Sequence, residues 1–403
     1  MVGVSTEQNT ANMVPFVQFG GESLVLAETD VAHAAGWSRG LTRVLAERGK
    51  KSCMIDIGAG DNIGLMAEKL AREVESVSSV CWNFGGGQKM QQVALFDLFS
   101  RRIQTGKKDW ACYTEPQTRS TYVITVDDHG KLQSHRIETN AHLTLKEIIL
   151  IFGNTPGKHC GTCLWNRAKL EQERLNQHEC LSAAQAAWLE DYDKRQKMFA
   201  HYDLQEVPPP EEQRIFPDSS RKLGQFFEKA VQFHVADIIA KCPKEHRVNE
   251  VWANVEVFSE KRNGQVAEYD VLLVTSFGTI IPLDAKSYEF SNKDEHARLH
   301  NLRSISGRYT TIYSVFPYFT ADLGSGSILQ QHRDWKKLLQ RPFEMKARGS
   351  RMLVVSEKGQ KSFIIARGRK NKIVLAEKEG KRTVQVHTLE NMLDKLQLKH
   401  QSS

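Results

Sequence analysis

The chain of 403 residues lacks the features of a membrane or secreted protein. No apolar run reaches the roughly 18–20 residues that a membrane-spanning helix needs. Residues 1–13 are polar and lack the basic and apolar regions of a signal peptide. The 7 cysteines are an odd number and are widely spread, which argues against a disulfide framework. We therefore expect a soluble, cytoplasmic protein with no membrane partner.

Two common nucleotide-binding motifs are also absent, although glycine-rich turns are present at 58–60 and 85–87. Neither turn has the Gly-x-Gly-x-x-Gly spacing with an acidic residue about 20 positions later. Lys89 is not followed by Ser or Thr, so the second turn is not a P-loop. These absences exclude a simple dinucleotide or P-loop assignment.

Positive charge is in excess, with a net charge of +7 and a pI near 8.9. The excess is concentrated at 346–382, where 12 Lys or Arg face 3 Asp or Glu. A basic segment of this kind favours a polyanionic partner such as nucleic acid. A solvated basic surface without a partner is the alternative.

The first part of the chain, residues 1–155, alternates between β-like and helical patterns. β-like runs lie at 14–19, 24–27, 52–57 and 79–83, and helical patterns lie at 32–48, 62–74 and 90–102. A hairpin at 119–137 and a short helix at 144–152 complete this part. Repeated strand–turn–helix units predict an α/β fold with a doubly wound parallel sheet.

Two glycine-rich turns of this sheet are candidate ligand sites. In doubly wound sheets, ligands bind where the carboxyl ends of strands meet helix N-termini, and glycine lets the backbone approach a ligand closely. The candidate ligand residues are Gly60, Asp61 and Asn62 in the first turn and Asn83, Gly85, Gly86, Gly87, Gln88, Lys89 and Met90 in the second. Asp61 is also the expected N-cap of the following helix. Ordinary tight turns are the alternative.

The connector, residues 156–222, contains a candidate zinc site. Cys160 and Cys163 have Cys-x2-Cys spacing, and His178 and Cys180 follow. These are zinc-ligand residue types, but the second pair is closely spaced and lies among helical patterns. We therefore favour a role in packing the connector over a structural zinc.

The second part, residues 223–403, begins with an amphipathic helix at 224–240 and a strand at 251–258. Apolar runs at 268–274 and 280–286 flank a Ser-Phe-Gly turn and predict a β-hairpin. The order helix, strand, strand, strand indicates a second α/β unit.

The predicted hairpin brings together candidate catalytic residues. It places Asp270 beside Asp284, and Lys286 shares a face with Asp284 because residues two apart in a strand point to the same side. Two carboxylates can hold a divalent cation, Mg²⁺ or Mn²⁺, and a lysine there can orient a water or a phosphate. Solvated surface charges are the alternative, but an aspartate in the apolar context of 280–284 needs a compensating partner.

Basic residues elsewhere in the second part are candidate nucleic-acid contacts. Arg308 and Tyr309 follow a helical pattern, and Arg367, Arg369 and Lys370 lie in the basic segment. Such side chains suit a phosphate backbone, which sets affinity rather than sequence choice. The end of a surface helix is the alternative for the first pair.

Three motifs resemble those of a known family. The segment 83–90 resembles the Asn-x-Thr-Gly-Gly-Thr-Lys-x-Met loop of CARF domains; Lys89 matches, and Gly85 and Gln88 replace threonines. The spacing of Asp270, Asp284 and Lys286 matches the PD-(D/E)xK nuclease motif. The segment 224–231 resembles the Gly-x-Trp-Leu-Glu-x-x-Val helix of nucleases that are fused to CARF domains.

The resemblance implies a CRISPR-associated ancillary nuclease of type III systems. It implies a Rossmann-like CARF domain at 1–155 and a restriction-endonuclease-like PD-(D/E)xK domain at 223–403. It maps the helix glutamate onto Glu228, which would bind the metal together with Asp270 and Asp284. It further implies a homodimer, activation by a cyclic oligoadenylate such as cyclic tetra-adenylate, and cleavage of DNA or RNA. A nuclease with another nucleotide sensor and a non-catalytic nucleic-acid-binding regulator remain alternatives.

Overall fold

The computed structural model describes residues 1–115, 118–157, 161–167, 220–241, 247–259, 264–286, 301, 310–316, 335–354, 362–367, 373–376 and 383–396. Within these residues the chain forms two β-sheets with helices packed against them. None of the helices in the described ranges is long and apolar enough to cross a membrane.

The first sheet has seven strands in the order β3-β2-β1-β4-β5-β6-β7. The strands are β1 (Val2–Val4), β2 (Ser23–Glu28), β3 (Lys51–Asp56), β4 (Cys81–Asn83), β5 (Trp110–Glu115), β6 (Ser120–Val126) and β7 (Leu132–Glu138). The helices are α1 (Thr10–Gln18), α2 (Asp30–Ala35), α3 (Trp37–Glu47), α4 (Ile63–Val74), α5 (Lys89–Gln104) and α6 (Leu145–Ile151). Strands β1 to β5 are parallel, and β6 and β7 form an antiparallel hairpin. The predicted doubly wound sheet is confirmed.

The N-terminal segment differs from the sequence prediction. Residues 14–19, which were expected to form a strand, lie largely in α1. The helix forms despite its β-branched residues and Pro15 because Met13, Val14 and Phe16 become buried, and tertiary packing outweighs local propensity. The central strand is instead β1, whose three residues are too few to show a period in the sequence.

Two helix boundaries also differ from the prediction. The expected helix at 32–48 is divided at Gly36, which has a φ of 66° and ends α2 in a left-handed conformation. The N-cap of α4 is Asn62 rather than Asp61, because the Asn62 side chain accepts a hydrogen bond of 3.0 Å from Leu65 N.

The second sheet has the order β16-β15-β17-β14-β13-β12-β11-β10-β8, and β9 also pairs with β10. Its strands are β8 (Asn154–Pro156), β9 (Thr162–Asn166), β10 (Val248–Ser259), β11 (Gly264–Thr275), β12 (Ile280–Ala285), β13 (Tyr313–Phe316), β14 (Arg351–Val354), β15 (Ser362–Arg367), β16 (Ile373–Ala376) and β17 (Thr383–Thr388). Its helices are α7 (Ser220–Lys241), α8 (Trp335–Arg348) and α9 (Leu389–Asp394). The antiparallel β11–β12 pair is the predicted hairpin.

The β11–β12 hairpin lies between two hydrophobic clusters. One face of the hairpin contributes to a hydrophobic cluster with Phe227, Val231 and Val235 of α7; its residues are Val271, Leu273 and Leu283. The other face contributes to a second hydrophobic cluster, with Met13, Val14 and Phe16 of α1 and Ile148 of α6; its residues are Leu272, Val274 and Ile280. Because strand side chains alternate between two faces, the hairpin packs against α7 on one face and against α1 and α6 on the other.

Candidate active site and ligand-binding edge

The structure brings Asp270, Asp284 and Lys286 together at one end of the hairpin. Val271 is paired with Leu283, so the antiparallel register places Asp270 opposite Asp284. Lys286 Nζ lies 2.8 Å from Asp284 Oδ1, and Asp270 Oδ2 accepts a hydrogen bond of 2.7 Å from Ala285 N. The Asp284 residue is only 3% exposed. The lysine therefore compensates a buried carboxylate, as the apolar sequence context requires.

Glu228 of α7 belongs to the same electrostatic cluster. Burial raises the pKa of the Glu228 carboxyl, Glu268 and Asp284 raise it further, and Lys286 acts in the opposite direction. Burial also raises the pKa of Asp270 well above its usual value, with additional repulsion from Asp284 and Glu228. The three carboxyl groups predicted from sequence, Glu228, Asp270 and Asp284, thus lie in one cluster, in which the neighbouring negative charges disfavour the ionisation of Glu228 and Asp270.

The carboxylate cluster has the chemistry of a site for a divalent cation. Carboxylate oxygens are the ligands that Mg²⁺ and Mn²⁺ prefer, and mutual repulsion among three acids is what a cation relieves. Among the residues that the structure describes, no group of three or more His, Cys, Asp or Glu is already arranged to hold a metal ion. The donor types fit a cation, and Asp284 Oδ1 is at present in contact with the Lys286 ammonium.

Two amide side chains complete the cluster and were not found from the sequence. Gln232 lies one helical turn after Glu228, and its Nε2 is 3.2 Å from Glu228 Oε1 and 3.1 Å from the Asp270 carbonyl oxygen. The same nitrogen is 2.7 Å from the Oδ1 of Asn254, which has a φ of 52°. The i, i+4 spacing places Gln232 on the same helix face as Glu228 but does not reveal its other two acceptors. The left-handed conformation of Asn254 gives no signal in the sequence.

The candidate ligand edge lies at the carboxyl ends of the parallel strands of the first sheet. The strand order reverses between β1 and β4, and ligands of such sheets bind in the crevice at this point. Residues 5–9 follow β1 and residues 84–88 follow β4. A Cβ on Gly86 would lie 3.2 Å from Thr6 Cγ2, so the two loops are in contact. The loop at 5–9 was missed because β1 was missed.

The predicted ligand residues of the second turn divide into buried and exposed groups. Asn83 is 0% exposed; its Nδ2 donates to Asn12 Oδ1 and to the Ala11 carbonyl at 2.9 Å each, and its Oδ1 accepts from Gly85 N at 2.9 Å. Gln88 is the N-cap of α5 and forms a capping box with Gln91. Gly86 is also buried and Gly85 is half-buried, whereas Gly87, Gln88, Lys89 and Met90 are exposed.

The first turn is placed beside the second. Gly60 has a φ of 76°, and a Cβ there would lie 2.7 Å from Gln91 Nε2 and 2.7 Å from Thr29 Cγ2. Asp61 and Asn62 are exposed, and Asn62 caps α4. The two predicted glycine-rich turns therefore both approach the N-terminal turn of α5.

Several predicted residues lie outside the described part of the chain. They are Arg308, Tyr309, Arg369, Lys370, Cys160, His178 and Cys180. Arg367 is the last residue of β15, and Cys163 lies exposed in β9.

Comparison with known proteins gives structural relatives only. No family model and no curated protein sequence matches the chain. The protein VC1899 from Vibrio cholerae aligns with a TM-score of 0.59 and 12% identity over 88% of this chain and 93% of its own. Can2 from Sulfobacillus thermosulfidooxidans, solved in complex with cyclic tetra-adenylate, aligns with a TM-score of 0.57 and 12% identity over 87% of this chain and 94% of its own.

A third solved structure is a type III CRISPR defence DNA nuclease activated by cyclic oligoadenylate. It aligns with a TM-score of 0.50 and 13% identity over 78% of this chain and 44% of its own. The chain therefore shares the fold of these structures: an N-terminal Rossmann-like domain with a doubly wound parallel sheet, followed by a second α/β domain with a mixed sheet.

Proposed function

We propose that this protein is a nuclease of type III CRISPR defence that is activated by a cyclic oligoadenylate and cleaves phosphodiester bonds in DNA, RNA or both. The observation on which the proposal rests is the meeting of Glu228, Asp270, Asp284 and Lys286 at one end of a hairpin. The fold of the cyclic tetra-adenylate complex of Can2 supports it. We retain 1–155 as the sensor domain, 156–222 as the connector and 223–403 as the nuclease domain.

The proposed chemistry is metal-dependent hydrolysis. Glu228, Asp270 and Asp284 would hold Mg²⁺ or Mn²⁺, which when bound supplies a Lewis acid for the phosphate and a lower pKa for water. Lys286 would donate from Nζ to the attacking water or to a phosphate oxygen and stabilise the negative charge that develops there. Its contact with Asp284 keeps the ammonium on the carboxylate side of the hairpin. Gln232 would hold Glu228 in place.

The proposed activator site is the edge formed by the loops at 5–9 and 84–88 with the first turn at 60–62. Backbone N–H groups at the start of a helix favour phosphate, and Lys89 adds a cation in the first turn of α5. A cyclic oligoadenylate presents both phosphates and bases to such an edge. Cyclic tetra-adenylate is the preferred candidate because its two-fold symmetry suits a site that two copies of the chain share.

The homodimer that this ligand requires has a candidate surface on α5. Met90, Val93 and Phe96 are 47%, 51% and 44% exposed, and they follow one another at three-residue spacing. They begin next to the ligand edge, so a second copy that covered them would bring two edges together. We expect Phe96→Glu to convert a dimer into a monomer in size-exclusion chromatography with light scattering. A wild-type monomer would contradict the dimer.

The nucleic-acid substrate is proposed to contact the basic residues of the second domain. Arg308, Tyr309, Arg367, Arg369 and Lys370 remain candidates for contacts with the phosphate backbone. If they act in this way, charge-removing changes should weaken binding similarly for all sequences and reduce its salt dependence.

A cleavage assay on single-stranded and duplex DNA and RNA tests the function directly. It should contain Mn²⁺ and compare no activator with cyclic tri-, tetra- and hexa-adenylate. We expect cleavage that depends on one of these activators and is abolished by EDTA. Equal cleavage with and without all of them would favour a nuclease with a different sensor. Nucleic-acid binding without cleavage under any condition would favour the non-catalytic regulator.

A further inference from the structure

Gln232 lies at the centre of the carboxylate cluster, although none of the recognised motifs includes it. The residue is 6% exposed, and its Nε2 is 2.7 Å from Asn254 Oδ1, 3.1 Å from the Asp270 carbonyl oxygen and 3.2 Å from Glu228 Oε1. The three oxygens belong to β10, β11 and α7. One side chain thus connects three of the elements that form the site.

The orientation of the Gln232 amide follows from its partners. A backbone carbonyl only accepts hydrogen bonds, and so does an ionised Glu228, so the amide must present its NH₂ group to them. The two protons of Nε2 are shared among three acceptors. Glu228 is the most distant acceptor, whereas Asn254 and the Asp270 carbonyl hold the amide more closely.

We propose that Gln232 is a positioning residue of the proposed nuclease site. It fixes the Glu228 side chain relative to the main chain of Asp270, so that the carboxylates of α7 and β11 stay on the same side of the cluster. The proposal rests on the proposed function, because it assumes that these carboxylates bind a cation and act on a phosphodiester. Residues that orient ligands in this way typically contribute 10–100-fold in metal affinity or activity.

The test replaces Gln232 by Met, which keeps the length of the side chain and removes the donors. We expect kcat to fall roughly 10–100-fold, with the KM for nucleic acid within about twofold of wild type. Mn²⁺ affinity, measured by electron paramagnetic resonance without nucleic acid, should fall by about tenfold. Asp237→Asn, at a half-buried position of the same helix whose carboxylate pairs with Lys241, is the matched control and should change neither quantity.

The outcomes separate this proposal from the proposed function. Wild-type kcat and wild-type Mn²⁺ affinity in a folded Gln232→Met protein would overturn the positioning role alone. Absence of cleavage by the wild type would overturn the nuclease function, and the Mn²⁺ titration would still decide whether Gln232 supports a cation site. A wild type that binds no Mn²⁺ would overturn both.

A different observation concerns α1, which connects the ligand edge to the catalytic hairpin. Asn9, Asn12 and Asn83 are each 0% exposed and form a chain in which Asn12 Nδ2 donates to Asn9 Oδ1 and Asn83 Nδ2 donates to Asn12 Oδ1, both at 2.9 Å. Asn9 Oδ1 also accepts from Thr6 N at 3.1 Å, and Asn83 Oδ1 accepts from Gly85 N at 2.9 Å. Both loops of the ligand edge are thereby fixed to the start of α1.

The next turn of α1 contacts the turn of the catalytic hairpin. Gly278, between β11 and β12, has a φ of 77°, and a Cβ there would lie 2.1 Å from Val14 Cγ2. Val14 also shares a hydrophobic cluster with Leu272, Val274 and Ile280 of the hairpin. A displacement of α1 therefore cannot occur without a response of the hairpin, because close-packed interiors transmit strain.

We infer that α1 couples the ligand edge to the hairpin through the Val14–Gly278 contact. The inference rests on the proposed function, since it assigns the element by which the activator would change the arrangement of Asp270 and Asp284. An activator must bind the active arrangement more tightly than the inactive one. Movement of the loops at 5–9 or 84–88 reaches the hairpin by this short path.

The test is a pair of compensating substitutions. Gly278→Ala should reduce the ratio of activated to basal cleavage by about tenfold or more, since typical allosteric couplings correspond to 5–150-fold. Val14→Ala should reduce the ratio less. The double variant should recover part of the ratio, because the new Cβ occupies the space that Val14 Cγ2 leaves. Val17→Ala, on the same helix, is the matched control and should keep the wild-type ratio.

The controls make the outcome decisive. The affinity for cyclic tetra-adenylate should stay within about threefold of wild type in each variant. A lower ratio of activated to basal cleavage then reports weaker coupling. Wild-type ratios in both single variants, or equal loss in Val17→Ala, would overturn the coupling path and leave the proposed function intact. A wild type that no cyclic oligoadenylate activates would overturn the sensor function and the path together.

Discussion

The carboxylate cluster and the candidate ligand edge differ in what fixes their geometry. In the cluster, ionisable side chains are held against their mutual repulsion, and the pKa of Asp270 is raised by burial and by its acidic neighbours. At the edge, neutral amides such as Asn12 and Asn83 satisfy the backbone of two loops. The first arrangement opposes folding and is suited to binding a cation, whereas the second supports folding and presents backbone N–H groups.

The largest expected effect separates catalysis at the cluster from binding at the edge. Asp284→Ala removes a proposed ligand and leaves Lys286 without its carboxylate, so cleavage should fall by roughly 10³-fold or more. Affinity for cyclic tetra-adenylate, measured by calorimetry, should stay at the wild-type value. Unchanged metal-dependent cleavage in Asp284→Ala would show that the carboxylate cluster takes no part in catalysis.

A substitution at the edge should lower stability most. Asn83→Ala leaves Asn12 Oδ1 and Gly85 N without their partner inside the protein. Because unsatisfied buried polar groups are costly, the free energy of unfolding should fall by about 2–3 kcal/mol. Chemical denaturation followed by circular dichroism measures this. A change below about 0.5 kcal/mol would mean that the amide chain does not hold the edge together.

The corresponding substitution in the cluster should raise the free energy of unfolding rather than lower it. Asp270→Asn removes the charge that Asp284 and Glu228 oppose, while an amide oxygen can still accept from Ala285 N. The free energy of unfolding in EDTA at neutral pH should therefore rise, by about 1 kcal/mol, although cleavage is lost. Lower stability of Asp270→Asn would show that the carboxylates are not in conflict in the folded protein.

The smallest expected effect concerns Glu250, a buried acid outside both sites. Its carboxylate accepts from Leu145 N and Trp252 Nε1 at 2.8 Å each, and burial raises its pKa. A raised pKa means that the folded state binds the proton more tightly than the unfolded state. Its contribution to stability is therefore largest below about pH 4 and declines as the pH rises through the folded pKa.

Glu250→Gln should flatten that part of the stability–pH curve. Urea midpoints between pH 4 and pH 8 measure it, with Glu256→Gln on the same strand as the control. Equal slopes in Glu250→Gln and wild type would show that burial of this acid does not perturb its protonation.

The sequence identified the carboxylate cluster more completely than the ligand edge, for a physical reason. Asp270, Asp284 and Lys286 lie on two adjacent strands of one hairpin, so local spacing and strand alternation were enough to place them together. The edge depends on β1, whose three residues show no period, and on contacts between loops that are about 80 residues apart. Thr6 and the Asn9–Asn12 pair therefore could not be recognised from the sequence.

Some helices and side chains could not be predicted from the sequence because packing or a single residue determined them. The segment at 14–19 became helical because Val14 and Phe16 are buried between the two sheets. Gly36 divided a continuous helical pattern by adopting a positive φ. Gln232 was not predicted because an amide on an amphipathic helix is ordinary until its three acceptors are known.

The pairing of β8 and β9 with β10 has a consequence for how the chain folds. These strands follow the first unit directly in sequence, yet they add to the sheet of the second. A fragment that ended at residue 153 would expose Val14 and its neighbours, which pack against Leu272 in the whole chain. A fragment that began after residue 166 would leave the edge of β10 without β8 and β9. The two units are therefore expected to gain and lose their structure together, in one cooperative transition, rather than as independent modules.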